Sequence, residues 1–157
     1  MKRKILIIGS SGMVGSSLLR IVKKRKSYKT LCPNRKKLDL KKFDQIARYL
    51  KKFKPDVIVN CAAMVGGVHS NNTKPAQFIY NNLVIQTNLI HAAYKSKIKK
   101  LIFLGSSCIY PRNSKQPIKE DYLLNGYLEK TNEPYAIAKI AGIKMCESYR
   151  REYGCNF

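Results

Sequence analysis

Four apolar residues, Ile5-Leu6-Ile7-Ile8, run directly into Gly9-Ser10-Ser11-Gly12-Met13-Val14-Gly15. An apolar helical face follows in Met13, Val14, Leu18, Leu19, Ile21 and Val22. Few folds accommodate this order. A run so short and so apolar reads as a strand buried on both faces. Glycines at this spacing let the chain turn tightly from strand to helix: Gly9 permits the turn, Gly12 lets the backbone approach a pyrophosphate, and Gly15 allows close helix–strand packing. The helix N-terminus then favours negative charge. A lone glycine triplet says little, but one at a strand-to-helix junction predicts a dinucleotide-binding turn.

The alternation continues along the chain. Strands are predicted at 4–8, 28–32, 56–60 and 101–104, and helices at 13–25, 42–53, 74–96 and 134–153. Phe43, Ile46, Ala47, Leu50 and Phe53 keep helical spacing, Pro75 suits a first helical turn, and Gly154 suits a stop. Short apolar strands between amphipathic helices predict the α/β class, with a Rossmann-type doubly wound parallel sheet covered on both faces. A complete sheet of that kind has more strands. The expectation is therefore one incomplete dinucleotide-binding domain over 1–157, truncated after the fourth strand and its helix, with strand four an exposed edge.

Composition narrows the partners. The net charge is +22, but the bases are mostly lysines scattered in pairs such as Lys23-Lys24 and Lys99-Lys100. No nucleic-acid motif accompanies them, so a nucleic-acid partner is not expected; the positive field favours a nucleotide diphosphate. No apolar stretch reaches membrane-spanning length. The basic start breaks after four apolar residues into glycine and serine, which argues for a strand over a signal peptide. The five cysteines, Cys32, Cys61, Cys108, Cys146 and Cys155, are odd in number and lack CxxC spacing. Neither a disulfide framework nor a metal site is expected, and a reducing cytoplasm fits.

Three further features carry chemistry. After the second strand, Asn34-Arg35-Lys36-Lys37 precedes the first acid, Asp39. Arg35 can meet a 2′-phosphate, which favours NADPH over NADH; a merely basic loop reads the same way. Tyr135 and Lys139 lie four apart on one helix face, where a lysine ammonium is expected to lower the phenol pKa. Such a tyrosine can protonate a carbonyl oxygen as hydride reaches carbon. Ser106 and Cys108 follow strand four, at the sheet end where ligands bind. The serine can hold a carbonyl; the thiol reads either as an acid–base group or as a small buried hydrophobe.

Together the glycine turn, Ser106 and the Tyr135/Lys139 pair resemble the extended short-chain dehydrogenase/reductase family. Longer strings, Val65-Gly66-Gly67, Gly105-Ser106-Ser107-Cys108-Ile109-Tyr110-Pro111 and Thr131-Asn132-Glu133-Pro134-Tyr135 through Lys144, are similar to its GDP-L-fucose synthase branch. The resemblance runs the length of the chain but spans only the front half of such enzymes. It implies an NADPH-dependent epimerase–reductase that inverts C3 and C5 of GDP-4-keto-6-deoxy-D-mannose and then reduces its C4 ketone. It implies that Tyr135 donates the proton at C4, Lys139 holds the nicotinamide ribose, Ser106 binds the keto oxygen, and Cys108 is the base of the epimerisation. It further implies cofactor contacts from Gly9, Ser10, Ser11, Gly12, Met13, Val14 and Gly15. Asn34, Arg35, Asp39, Leu40, Ala62 and Ala63 complete them, beside Tyr135 and Lys139. The family pairs its cysteine with a histidine that neither His69 nor His91 matches, and it dimerises through helices equivalent to 74–96 and 134–153. Ser10-Ser11 stands where many relatives carry a basic residue. Other readings are a different nucleotide-sugar epimerase or reductase, and a dinucleotide-binding module without turnover.

Overall fold

In the computed structural model, which describes residues 2–157, strand β1 (Arg3–Ile8) is the shared wall of two apolar layers. Leu6 and Ile8 join a cluster with Ile46, Leu50, Ile58, Leu89 and Ile90. Ile5 and Ile7 join a second cluster with Val22 and Val59. The two-residue period of a strand sends alternate side chains to opposite faces, so one apolar run serves both.

The remaining elements are α1 (Met13–Lys23), β2 (Tyr28–Leu31), α2 (Phe43–Phe53), β3 (Val57–Asn60), α3 (Val68–Thr73), α4 (Pro75–Lys95), β4 (Lys100–Phe103) and α5 (Glu133–Tyr153). The sheet order is β2-β1-β3-β4, and every pairing is parallel. The chain therefore winds one way from β1 to β2, then crosses back to β3 and β4. The reversal opens a crevice between β1 and β3, at the carboxyl ends of the strands. Register aligns those ends: Ile8 pairs with Asn60, and Asn60 with Phe103. The segments leaving β1, β3 and β4 thus emerge side by side.

This is the expected α/β architecture, with two differences. The short helix α3 was not anticipated, because Val-His-Ser-Asn-Asn-Thr carries no apolar period. The edge of β4 is also less bare than expected. Leu101 N–H donates to Asn156 O at 3.1 Å, Phe157 is buried, and Arg150 Nε donates to Phe157 O at 3.1 Å. The last residues thus lie against the edge instead of trailing from α5. Among the described residues, no helix is long and apolar enough to cross a membrane.

Candidate active site

The turn after β1 is built by steric necessity. Gly9 has φ +75°, and a Cβ there would lie 2.8 Å from both Ala62 N and the Cys61 carbonyl carbon. A Cβ on Gly15 would run into the Gly9 carbonyl. These two glycines let β1, β3 and α1 meet. Gly12 is different: a Cβ would have only Gly9 O nearby, at 3.4 Å. It is the N-cap of α1, with no side-chain hydrogen bond capping the helix. The first-turn amides are therefore left for an anion, and the missing Cβ keeps the approach clear.

Beside this turn lies a cavity of about 540 Å³. Gly9, Ser10 and Ser11 form one wall, Asn34, Arg35, Asp39 and Leu40 another, and Ala62 and Ala63 a third. Its size and mixed lining suit a nucleotide. Asn34 Oδ1 accepts the Lys37 N–H at 3.0 Å, and Asp39 Oδ1 accepts the Lys41 N–H at 3.1 Å; Asn88 Nδ2 donates to Leu40 O at 3.1 Å. The loop after β2 is thus pinned by its own side chains and by α4. Of the other residues expected at the cofactor, Gly12, Met13, Val14, Gly15, Tyr135 and Lys139 lie outside this cavity's lining.

The lining also includes residues the sequence did not single out, among them Lys41, Met64, Asn81 and Ile85. Met64 is held by a buried clamp: Asn82 Oδ1 accepts its N–H at 2.8 Å, and Asn82 Nδ2 donates to its carbonyl at 2.9 Å. Farther along the same loop, Asn71 Nδ2 donates to Gly66 O and Gly67 O at 2.8 and 3.1 Å. At the end of β3, the buried Asn60 accepts the Ala62 N–H at 3.1 Å, while its Nδ2 has no partner. Asparagines thus replace a regular ladder where the chain leaves the strand. The Asn71-Asn72 and Asn81-Asn82 pairs were the available signal.

The second group of predicted residues gathers after β4. Ser106 Oγ and Cys108 Sγ are in hydrogen-bond contact at 3.1 Å. Lys139, only 5% exposed, donates from Nζ to Leu104 O at 2.8 Å. The ammonium also sits 4.7 Å from the centre of the Phe103 ring and 5.9 Å from that of Tyr135. Burial pushes the Tyr135 phenol above its usual 10; Cys108 adds to the rise and the Ser106 hydroxyl opposes it. The expected lowering by Lys139 is therefore not what this geometry gives, because the ammonium is turned to the Leu104 carbonyl and burial dominates. Burial likewise depresses Lys139 below 10.5, opposed by the nearby thiols of Cys108 and Cys61. Cys61 immediately precedes Ala62 in the cavity wall, so the two groups adjoin.

Neither histidine belongs to this cluster. His69 O accepts a hydrogen bond from Thr73 within α3. His91 Nδ1 pairs with Tyr149 OH at 2.7 Å among aromatic rings. All five cysteines are free, and no group of three His, Cys, Asp or Glu residues suits a metal ion among the described residues.

The profile of the NAD dependent epimerase/dehydratase family matches residues 5–157. GDP-L-fucose synthase of Sinorhizobium fredii (strain NGR234) is 48% identical over 155 residues, covering 99% of this chain and 49% of its own. GDP-L-colitose synthase of Yersinia pseudotuberculosis is 44% identical over 149 residues, covering 95% and 48%. Among solved structures, a GDP-mannoheptose C4 reductase of Campylobacter jejuni with NADP bound superposes with a TM-score of 0.95 at 40% identity, covering 99% of this chain and 49% of its own. The chain spans about half the length of the curated relatives it matches.

Proposed function

The chain belongs to the NAD dependent epimerase/dehydratase family, and from that premise we propose that it carries the NADP(H) site and the acid–base groups of a GDP-4-keto-6-deoxy-D-mannose 3,5-epimerase-4-reductase, the reaction of a GDP-L-fucose synthase. The observation that carries the reading is the adjacency of two sites at one end of the sheet. A nucleotide-sized cavity beside an uncapped helix start abuts a cluster of Ser106, Cys108, Tyr135 and Lys139. In this reading residues 1–157 are the NADP(H)-binding domain, and the sugar-nucleotide domain is a separate unit.

The residues present fit the cofactor. The α1 amides and Gly12 would receive the pyrophosphate, and Arg35 with Asn34 would meet a 2′-phosphate. When bound, the reduced nicotinamide supplies the hydride for C4. The protein's own groups handle the protons. The C4 ketone acidifies the hydrogens at C3 and C5, and Cys108 is the base that removes them in turn. Negative charge collects on the C4 oxygen, where Ser106 and Tyr135 donate hydrogen bonds; inversion of each centre needs a proton delivered to the opposite face by an acid other than Ser106, Cys108, Tyr135 and Lys139. In the reduction Tyr135 gives its proton to that same oxygen. Its raised pKa keeps the proton in place until then. Lys139 would hold the nicotinamide ribose.

A relative that acts on another GDP-sugar supplies the alternative, since colitose and heptose enzymes are similar to this chain. The contact of Cys108 with Ser106 favours an enzyme that epimerises as well as reduces. The outer faces of α4 and α5, with Tyr80, Ile137 and Tyr153 exposed, support a homodimer through these helices. The free thiols support a cytoplasmic setting.

The test is a titration of the purified chain with NADPH and, separately, NADH, following nicotinamide fluorescence. Saturable binding that prefers NADPH and disappears in Gly12→Trp is expected. A folded chain that binds neither nucleotide would remove the cofactor site from the proposal.

A further inference from the structure

The carboxyl ends of α2 and α4 meet at the amino ends of β3 and β4, on the far side of the sheet from the candidate active site. They border a second cavity of about 520 Å³, open to solvent and rimmed by exposed lysines. Its walls carry Lys51, Lys54, Lys95, Lys97 and Lys99 against a single acid, Asp56. Leu50 and Ile98, both buried, give it an apolar floor. Asp56 is already engaged: one carboxylate oxygen accepts the Lys4 N–H at 2.9 Å, and the other lies 3.8 Å from Lys99 Nζ. The other four ammonium groups have no ion-pair partner among the described residues.

Helix ends alone do not account for this charge. A helix C-terminus favours a nearby cation, and both helices already have one in the last turn: Lys51 and Lys52 in α2, Lys95 in α4. Lys4 Nζ also donates to Phe53 O at 3.1 Å. Lys54 and Lys97 come in addition, and at a conformational cost. Lys54 caps α2 at φ 45°, with its N–H on Leu50 O at 2.9 Å. Lys97 follows α4 at φ 53°, where Lys97 N–H on Tyr94 O and Ile98 N–H on Ala93 O, at 2.9 and 3.0 Å, close the helix. Both are left-handed positions that helix ends ordinarily fill with glycine. Here both hold lysine, and both face one cavity.

Unpaired cations around a small concave space with an apolar floor suit a compact polyanion; a nucleic-acid strand calls for an open groove with aromatic platforms. We propose that this cavity binds a small polyphosphate, a chain of three or more phosphate groups either free or carried by a nucleoside, held by charge-assisted hydrogen bonds from the lysines.

Tripolyphosphate and ATP are the probes, titrated calorimetrically at about 0.15 M ionic strength with the cofactor cavity saturated by NADPH. One molecule of each is expected to bind per chain. The double variant Lys54→Gly/Lys97→Gly is decisive. Glycine relieves both left-handed positions, so the variant folds at least as stably, yet loses about tenfold or more in affinity for both probes. Lys115→Gln/Lys119→Gln removes the same charge from a distant loop and is expected to bind as the native chain does. Tighter binding of ATP than of tripolyphosphate assigns the apolar floor to the base, and equal binding assigns the site to the phosphate chain; either supports the proposal. Equal weakening in the two double variants would reveal diffuse attraction to net charge and overturn it. So would binding that is seen only when NADPH is left out, or displacement of both probes by single-stranded RNA at lower concentration than either probe.

Discussion

Gly9 and Gly12 lie three residues apart on one turn, yet they answer different demands. Gly9 must adopt positive φ while the end of β3 crowds its missing Cβ. Gly12 has neither constraint, so its missing side chain makes room above the turn. Gly9→Ala is accordingly expected to destabilise the chain by about 2 kcal/mol or more. Gly12→Ala is expected to cost less than about 1 kcal/mol in stability while weakening NADPH binding by roughly tenfold. Urea melts and fluorescence titrations on both variants separate the cases; equal destabilisation would assign Gly12 to packing alone. Lys139 offers a second test. In the unfolded chain its pKa returns to 10.5, above the depressed folded value. Between the two, the unfolded state holds more protons, so stability rises with pH. Lys139→Met lacks that slope. The stability of the native chain minus that of the variant is expected to grow as pH rises toward 10.5. A difference that shrinks over this window would mean that Leu104 O and the Phe103 ring stabilise the ammonium more than burial penalises it.

At the scale of elements, α5 reaches the site because Gly142 lets it settle on the sheet. A Cβ there would lie 2.5 Å from one Phe103 ring carbon, 2.8 Å from another and 3.0 Å from Gln86 Cδ. Gln86 in turn donates to Ala138 O, next to Lys139. Gly142→Ala is expected to cost about 2 kcal/mol by overpacking. Phe103→Leu in the same chain, by removing the ring, is expected to return half of that loss or more, read as a double-mutant cycle in urea; additive effects would place the strain elsewhere. These contacts also mark where sequence reading ends. The strands were legible as short apolar runs, α1 and α2 by their helical spacing, α4 and α5 by Pro75 and Gly154 at their ends, and the glycine turn because its spacing is local. Ser106, Cys108, Tyr135 and Lys139 were legible as motifs, but the direction of the Tyr135 shift was not, since burial is a tertiary property. Met64, Asn81 and Ile85 meet in the wall of the candidate cofactor cavity because Asn82 of α4 clamps Met64 in the loop after β3, which no local pattern announces. Helix α3 was missed for the opposite reason: it is short and polar, fixed by the Asn71 contacts with Gly66 and Gly67.

Across the whole molecule, charge acts on stability and on binding in opposite senses. The chain has 31 Lys and Arg residues against 9 acids. Among the described residues its ion pairs are Lys99–Asp56, Arg112–Glu129 and Lys144–Glu147. Each has a partner well exposed to solvent, and such pairs contribute little. The net electrostatic effect on the fold is therefore self-repulsion of an unbalanced positive surface. Added salt screens that repulsion, shortening its range from about 30 Å at 0.01 M to about 3 Å at 1 M. Resistance to urea, an uncharged denaturant, is expected to rise as NaCl goes from about 0.02 to about 0.5 M. In the proposed function the same positive field would draw an anionic dinucleotide toward Arg35 and Lys41 in the cavity wall, so NADPH affinity is expected to fall over the same range by several-fold. Measuring both on one preparation makes the signs informative. Stability that falls with salt would show that the few ion pairs outweigh the repulsion. Affinity that does not change would confine NADPH recognition to uncharged contacts and take Arg35 out of it.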